Sequence, residues 1–194
     1  VEYMNDNVAV VRAAAERAGR APEEVEIDMT IALSVSQDRT FARDAAKLTA
    51  AVGILWVANA EKPVLGDLGF ADARGTPREF TVAPAVVDAI ANRWNMWTGE
   101  PLPVDVAAGI DDDTIDTFVV AGTPDECAAR LRTLLARVPG VTGIRFKLPP
   151  LTGPDSFERF SEMVRLCGEL RPAVEEAMAG SLTEAGRGRR RQVG

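Results

Sequence analysis

The chain has 194 residues, 46% of them hydrophobic and 26% charged, and carries a formal net charge of -7. That composition is ordinary for one globular domain with its own core, and it excludes a mainly disordered chain. The only dense basic run, residues 187–191, has no aromatic platform beside it, which argues against nucleic-acid binding. No apolar run approaches the roughly 20 residues of a membrane span and no secretory leader opens the chain, so we expect a cytoplasmic protein without membrane contact.

The sequence lacks the cysteine and histidine pattern of a metal site. Cys127 and Cys167 are far apart, each in an apolar helical stripe, and the chain has no histidine. We therefore expect both cysteines to behave as small buried hydrophobic residues in a reducing compartment, and we predict no metal.

The first half of the chain predicts a helix, a strand and a second helix. The helix covers residues 3–18 and ends at Gly19. Residues 25–35 alternate between apolar and smaller or polar side chains, which is typical of a β-strand. Ser36 to Asp38 then begin an alanine-rich helix that continues to about Val57. Because Val1 is not methionine, we also expect a processed or truncated start.

The middle of the chain is less regular. Glycines and prolines interrupt residues 61–81, which we interpret as an insertion. A helix follows over residues 84–97. Asp111 to Asp113 then open a short helix that ends near Phe118. Three successive acids could suggest a metal site, but they do not share a helix face, and negative charge at a helix start is what the helix dipole favours.

The last part of the chain predicts a helix, a short strand and a long final helix. Thr123 is a good N-cap and Pro124 fits the first helical position. The strand covers residues 143–148, between glycines and a Pro-Pro pair. The final helix covers residues 155–178 with a kink or break at Pro172, and residues 180–194 read as a flexible basic tail. About two to three parallel strands result, too few to close a barrel.

Four stretches resemble the C-terminal part of the luciferase-like monooxygenase superfamily, in its coenzyme F420-dependent branch that is similar to methylenetetrahydromethanopterin reductase. They are residues 14–22, residues 25–43, residues 117–126 and residues 140–146 with the helix that follows. The resemblance implies an α/β fold, namely the C-terminal part of a (β/α)8 barrel, over residues 1–179. The earlier strands of the family, which carry most of the cofactor contacts, have no counterpart in this chain.

The resemblance also implies an activity. The family transfers a hydride between the deazaflavin F420, or alternatively FMN, and a small organic substrate, and the cofactor performs the chemical step. A complete barrel would be an oxidoreductase and a homodimer. Two alternatives stay open: a non-catalytic remnant that keeps helices for a dimer contact, and an unrelated small α/β binding protein.

Candidate site residues follow from the barrel geometry, since such active sites lie at the carboxyl ends of the strands. On the first strand these are Ser34 and Ser36, where Ser36 is either a ligand for a phosphate or ribityl chain or part of a helix cap. On the second strand they are Lys147 and, one alternation earlier on the same face, Arg145. A cation there suits an anionic cofactor tail or an anionic substrate. The alternative for Lys147 is a surface lysine at a strand end, and the catalytic residues are unknown.

Overall fold

Three parallel strands form the centre of the structure. The computed structural model describes residues 2–58, 84–95, 98 and 100–190. The strands are β1 (Asp28–Val35), β2 (Val120–Gly122) and β3 (Gly143–Lys147). The helices are α1 (Glu2–Arg17), α2 (Arg39–Ala58), α3 (Pro84–Arg93), α4 (Val104–Ala108), α5 (Asp112–Phe118), α6 (Pro124–Ala136), α7 (Ser156–Glu169) and α8 (Arg171–Arg190).

The sheet has the order β2-β1-β3, so β1 is the central strand. β3 pairs in parallel with Asp28–Ala32, and β2 pairs in parallel with Leu33–Val35. The two strands expected from the sequence are therefore direct neighbours, and the helix-rich α/β class is confirmed. The described residues form an open sheet, and no closed barrel is seen in them.

One face of the sheet, which we call the covered face, carries most of the core. Its β1 side chains alternate with more exposed or polar ones and are at most 6% exposed: Met29, Ile31, Leu33 and Val35. Helices α6 and α7 cover them with side chains that are fully or almost fully buried: Leu131, Leu135, Met163 and Leu166. Burying each such side chain stabilises the fold by about 1.5–3 kcal/mol.

A second core lies beside β2. The alanine-rich side of α2 packs there against α3, α5 and β2, with Ile54, Ile90 and Ile115 at its centre. Small side chains on α2 permit this close approach. A Cβ atom at Gly53 would collide with the Phe118 ring, so the absence of a side chain at Gly53 sets the distance between α2 and α5.

The N-terminal boundary of β1 differs from the expected one. The strand begins at Asp28 and not at Val25, because residues Pro22–Glu24 form a 3-10 turn that ends on Val25. Arg12 of α1 stabilises this turn: its guanidinium donates to the carbonyls of Pro22 and Val25, the latter at 2.7 Å. It also donates to the carbonyl of Gly140 at 2.9 Å. The period-two pattern of residues 25–27 was therefore misleading.

The ends of three helices can also be compared with the expected ones. The long final helix is broken at Leu170, two residues before Pro172, as the proline predicts. Helix α8 then continues to Arg190, through much of the segment expected as a basic tail. Helix α3 ends at Arg93, earlier than the expected Trp97. The expected insertion at residues 61–81 lies outside the described residues.

No helix in the described ranges is both long enough and apolar enough to cross a bilayer.

The covered face predicts a clear contrast between two valine substitutions. Val138 is 1% exposed and Val104 is 87% exposed. Val138→Ala should lower the free energy of unfolding by about 2 kcal/mol, since it removes two buried methyl groups and leaves a cavity. Val104→Ala is the matched control and should change it by less than about 0.5 kcal/mol. Urea unfolding followed by circular dichroism measures both, and equal midpoints would contradict this core assignment.

Candidate functional site

Two helices begin at the carboxyl end of the sheet, and polar side chains cap both of them. Asp38 accepts the backbone amide of Phe41 at 3.1 Å and so starts α2. Thr123 and Glu126 form a reciprocal capping box at the start of α6. The helix start predicted at residues 123–124 is confirmed, as is the cap at residues 36–38.

Glycine is required next to the capping box. Gly122 has a φ of 149°, and a Cβ atom there would collide with the Glu126 carboxylate. The Thr123 backbone amide and the Arg39 guanidinium, which both donate to that carboxylate, hold the pKa of Glu126 below its usual value. Glu126 therefore stays ionised and holds the first turn of α6 against α2.

An ion-pair network extends from this point. Arg43 on α2 is 6% exposed and donates to the carboxylates of Asp112 and Asp116 at 2.9 and 2.7 Å. It also donates to the carbonyls of Ala121 and Asp112 at 3.2 and 2.7 Å. Because four of the five N–H groups of the guanidinium donate to acceptors, its burial is compensated. Arg43 thus ties α2 to α5 and β2.

The network balances its own charge. It contains three cations and three carboxylates on α2, α5 and α6: Arg39, Arg43, Arg130, Asp112, Asp116 and Glu126. No net charge is left over for a ligand. We therefore assign these residues to holding helices α2, α5 and α6 together, and not to substrate binding.

The two serine candidates are buried and engaged within the protein. Ser34 is fully buried, and its hydroxyl donates to the carbonyl of Ala42 at 2.7 Å. Ser36 is 1% exposed, donates to Glu162 of α7 at 3.3 Å and accepts the backbone amide of Asp38 at 3.2 Å. These contacts match the helix-cap alternative for Ser36.

Arg145 and Lys147 lie on the other face of the sheet, which we call the open face. The register places Arg145 beside Thr30 and Lys147 beside Ala32, and both basic side chains are exposed. Arg145 pairs with Asp28 at 2.8 Å, whereas Lys147 has no partner among the described residues. Of the two candidate cations, Lys147 is therefore the one that remains available to an anionic ligand.

The serines and Lys147 do not converge on one point. Ser36 lies four residues beyond Ala32, the register partner of Lys147, so the two are about 13 Å apart along the strand direction. Helix α2 also covers Ser34, while Lys147 stands in the open. The structure thus brings Arg145 and Lys147 together and keeps both serines apart from them.

The acidic run and the cysteines have structural explanations. Asp111 accepts the amide of Thr114 at 2.8 Å and caps α5, which confirms the helix-start interpretation of residues 111–113. Burial raises the pKa of Cys127 to about 12 and that of Cys167 to about 11. Both thiols stay protonated near neutral pH and are poor nucleophiles.

Sequence reasoning did not single out the network around Arg43. One signal was present: Arg39 and Arg43 are four residues apart on α2, and so are Asp112 and Asp116 on α5. Such spacing places each pair on one helix face, ready for the other. Glu162, the partner of Ser36, gave no comparable signal.

Comparisons with known proteins give one distant relative. The chain is 27% identical over 128 residues to a 5,10-methylenetetrahydromethanopterin reductase from Methanolobus tindarius. The match covers 66% of this chain and 34% of the reductase, so the chain spans about a third of the relative's length. No family model and no solved structure matches the chain. The comparison supports a distant, partial relationship to that reductase, in agreement with the resemblance noted above.

The network predicts unequal roles for two arginines that share Asp112. Arg43→Met should lower the free energy of unfolding by about 2–3 kcal/mol, because Asp112, Asp116 and the carbonyl of Ala121 lose a buried donor. Arg39→Met is the matched control on the same helix. Its side chain is 51% exposed and its ion pairs are screened by water, so its loss should shift the unfolding midpoint far less than the loss of Arg43 does. Urea unfolding of both variants tests this, and an equal loss would show that Arg43 has no special role.

Proposed function

We propose that this chain is the C-terminal part of a luciferase-like oxidoreductase that uses coenzyme F420, with Lys147 as a binding residue for an anionic group of the cofactor or substrate. The observation that carries the proposal is the distant similarity to a methylenetetrahydromethanopterin reductase. A structural observation also supports it, since the exposed Lys147 has no ion-pair partner among the described residues.

The open face fits an anion better than it fits a ring system. Lys147 offers three N–H donors and no competing carboxylate, and Arg145 stands two residues away with its charge shared by Asp28. Apolar side chains that would stack on a deazaflavin ring are not grouped there among the described residues. We therefore propose that this chain binds the anionic part of the ligand, and that other parts of a complete barrel bind the ring.

The chemistry would come from the cofactor, which supplies a hydride to an unsaturated or carbonyl-bearing small molecule. The role of this chain's residues is to bind and orient. Lys147 would hold an anionic group by charge-assisted hydrogen bonds, and the Asp28–Arg145 pair would fix the neighbouring surface. FMN remains the alternative cofactor, since its phosphate offers Lys147 the same chemistry.

A second candidate is a non-catalytic remnant of the same fold. One observation favours it: the candidate site residues Ser34 and Ser36 are engaged within the protein. In that case the helices would serve a dimer contact and the open face would bind no cofactor.

A fluorescence titration of the purified chain with F420, and separately with FMN, distinguishes the candidates. Lys147→Met should weaken F420 binding about tenfold, because one charge-assisted contact is lost. Lys47→Met is the matched control, as Lys47 lies on α2 and pairs with Asp44 at 2.8 Å. Its affinity should equal that of the unchanged chain.

Two results would count against the proposal. Equal affinities of the Lys147 and Lys47 variants would remove Lys147 from the binding site. Absence of F420 and FMN binding to the unchanged chain would exclude cofactor binding by this polypeptide alone and favour the remnant.

A further inference from the structure

Helix α7 carries a row of exposed apolar side chains on its outer side. Six large apolar side chains are exposed among the described residues, and three of them lie on this helix: Phe157 at 77%, Phe160 at 42% and Val164 at 50%. Residues spaced by three, four or seven positions share one helix face, so the three form a single row. A different side of α7, with Met163 and Leu166, is buried in the core. The helix therefore has a second apolar side that takes no part in either core.

Two small residues lie in the same row. Together with it they form a surface that we call the α7 stripe, made of Phe157, Phe160, Ser161, Val164 and Gly168. The Ser161 hydroxyl donates to the carbonyl of Phe157 at 2.7 Å, so it needs no partner outside the helix. A Cβ atom added at Gly168 would meet nothing within 4 Å, so packing within this chain does not require a glycine there. The α7 stripe thus combines protruding rings with shallow positions that can receive rings.

Opposite charges border the α7 stripe along one side. Glu158 and Arg165 are seven residues apart, which is about two helical turns, so they lie on the same border. Glu158 has no ion-pair partner among the described residues. Arg165 pairs with Glu169 within α7, but both side chains stay at least half exposed and the guanidinium has further N–H donors. The border therefore offers an acceptor near the start of the helix and donors near its end.

We propose that the α7 stripe binds a second copy of this chain, with the two α7 helices antiparallel across a two-fold axis. In such a pair the same border of each helix faces its equivalent, and residues equally far from the axis lie opposite one another. An axis midway between Glu158 and Arg165 places each Glu158 opposite Arg165 of the other copy. Two equivalent charge-assisted contacts result. This surface is independent of the proposed oxidoreductase function.

The same register also packs the rings. It places Phe157 opposite the space between Val164 and Gly168 of the other copy, and Phe160 opposite the space between Ser161 and Val164. Each ring therefore meets one valine and one small residue. A single register satisfies both the charges and the rings, which is the property of a self-complementary surface. A partner of different sequence would not require rings and ring-receiving positions in the same stripe, so the pattern favours a second copy.

The size of the contact predicts a weak dimer. Two helices in contact over about three turns bury less than the roughly 1,200 Å² at the low end of stable interfaces. Sedimentation equilibrium should therefore show the 20.8 kDa chain at low concentration. The mass should approach twice that value as the concentration rises from about 10 to 500 µM.

Removal of one ring tests the apolar part of the contact. Phe157→Ser should weaken dimerisation at least about tenfold in sedimentation equilibrium, because the two-fold axis makes each substitution count twice. Val104→Ser is the matched control, since Val104 is an 87% exposed apolar residue on α4. It should dimerise like the unchanged chain.

A charge exchange tests the register. Glu158→Arg should weaken dimerisation about tenfold, because it places two arginines opposite each other in both halves of the interface. The double variant Glu158→Arg/Arg165→Glu brings opposite charges together again and should recover the affinity of the unchanged chain to within about threefold. A local effect of Glu158→Arg on the helix alone would not be repaired by the second substitution.

Three results would overturn the proposal. The unchanged chain could remain a monomer over the whole concentration range, which would leave the α7 stripe to a different protein. Phe157→Ser and Val104→Ser could dimerise equally, which would place the contact elsewhere. The double variant could dimerise as weakly as Glu158→Arg, which would exclude the antiparallel register.

Discussion

A parallel sheet has two requirements. Its strands carry apolar side chains on both faces, so both faces have to be covered. Its backbone N–H and C=O groups also need hydrogen-bond partners at both edges of each strand. In this chain the first requirement is met on the covered face, where α6 and α7 bury the β1 side chains. On the open face it is met only towards β2, where α2 packs over the end of β1. The first part of β1 is therefore covered on one face only, and this partial cover determines which groups are buried and which are accessible.

The partial cover explains where ligand-binding groups can lie. Near the carboxyl end of β1, the polar groups already have partners within the protein. Ser34 and Ser36 form hydrogen bonds to α2 and α7, and Arg43 pairs with carboxylates of α5. Away from that end, Lys147 on the open face has no partner among the described residues, and none of the described strands pairs with the backbone of Thr30 on the β2 side.

Three local signals in the sequence were reliable. The capping box at Thr123, the alternation along β1 and the helix break before Pro172 each arise from contacts a few residues apart, and each was predicted. β2 was harder, because three residues cannot display a period and residues 118–120 resemble the end of a helix. Only its pairing with a strand far away in the sequence defines it.

The candidate site was predictable in part for the same reason. Strand alternation correctly placed Arg145 and Lys147 on one face. Their surroundings could not be read from the sequence, since Arg145 finds its partner Asp28 at a separation of 117 residues and Arg43 finds Asp116 at a separation of 73. Burial of Ser34 and Ser36 likewise depends on helices from other parts of the chain.

Backbone amide exchange of β1 tests the half-covered strand most directly. The amides of Met29 and Ile31 point towards β3 and should exchange slowly, whereas the amide of Thr30 between them points to the open edge and should exchange at least about a hundredfold faster. Hydrogen–deuterium exchange followed by NMR resolves the three residues. Equal protection of Thr30 and its neighbours would mean that a strand already occupies that edge, which would contradict the arrangement described above.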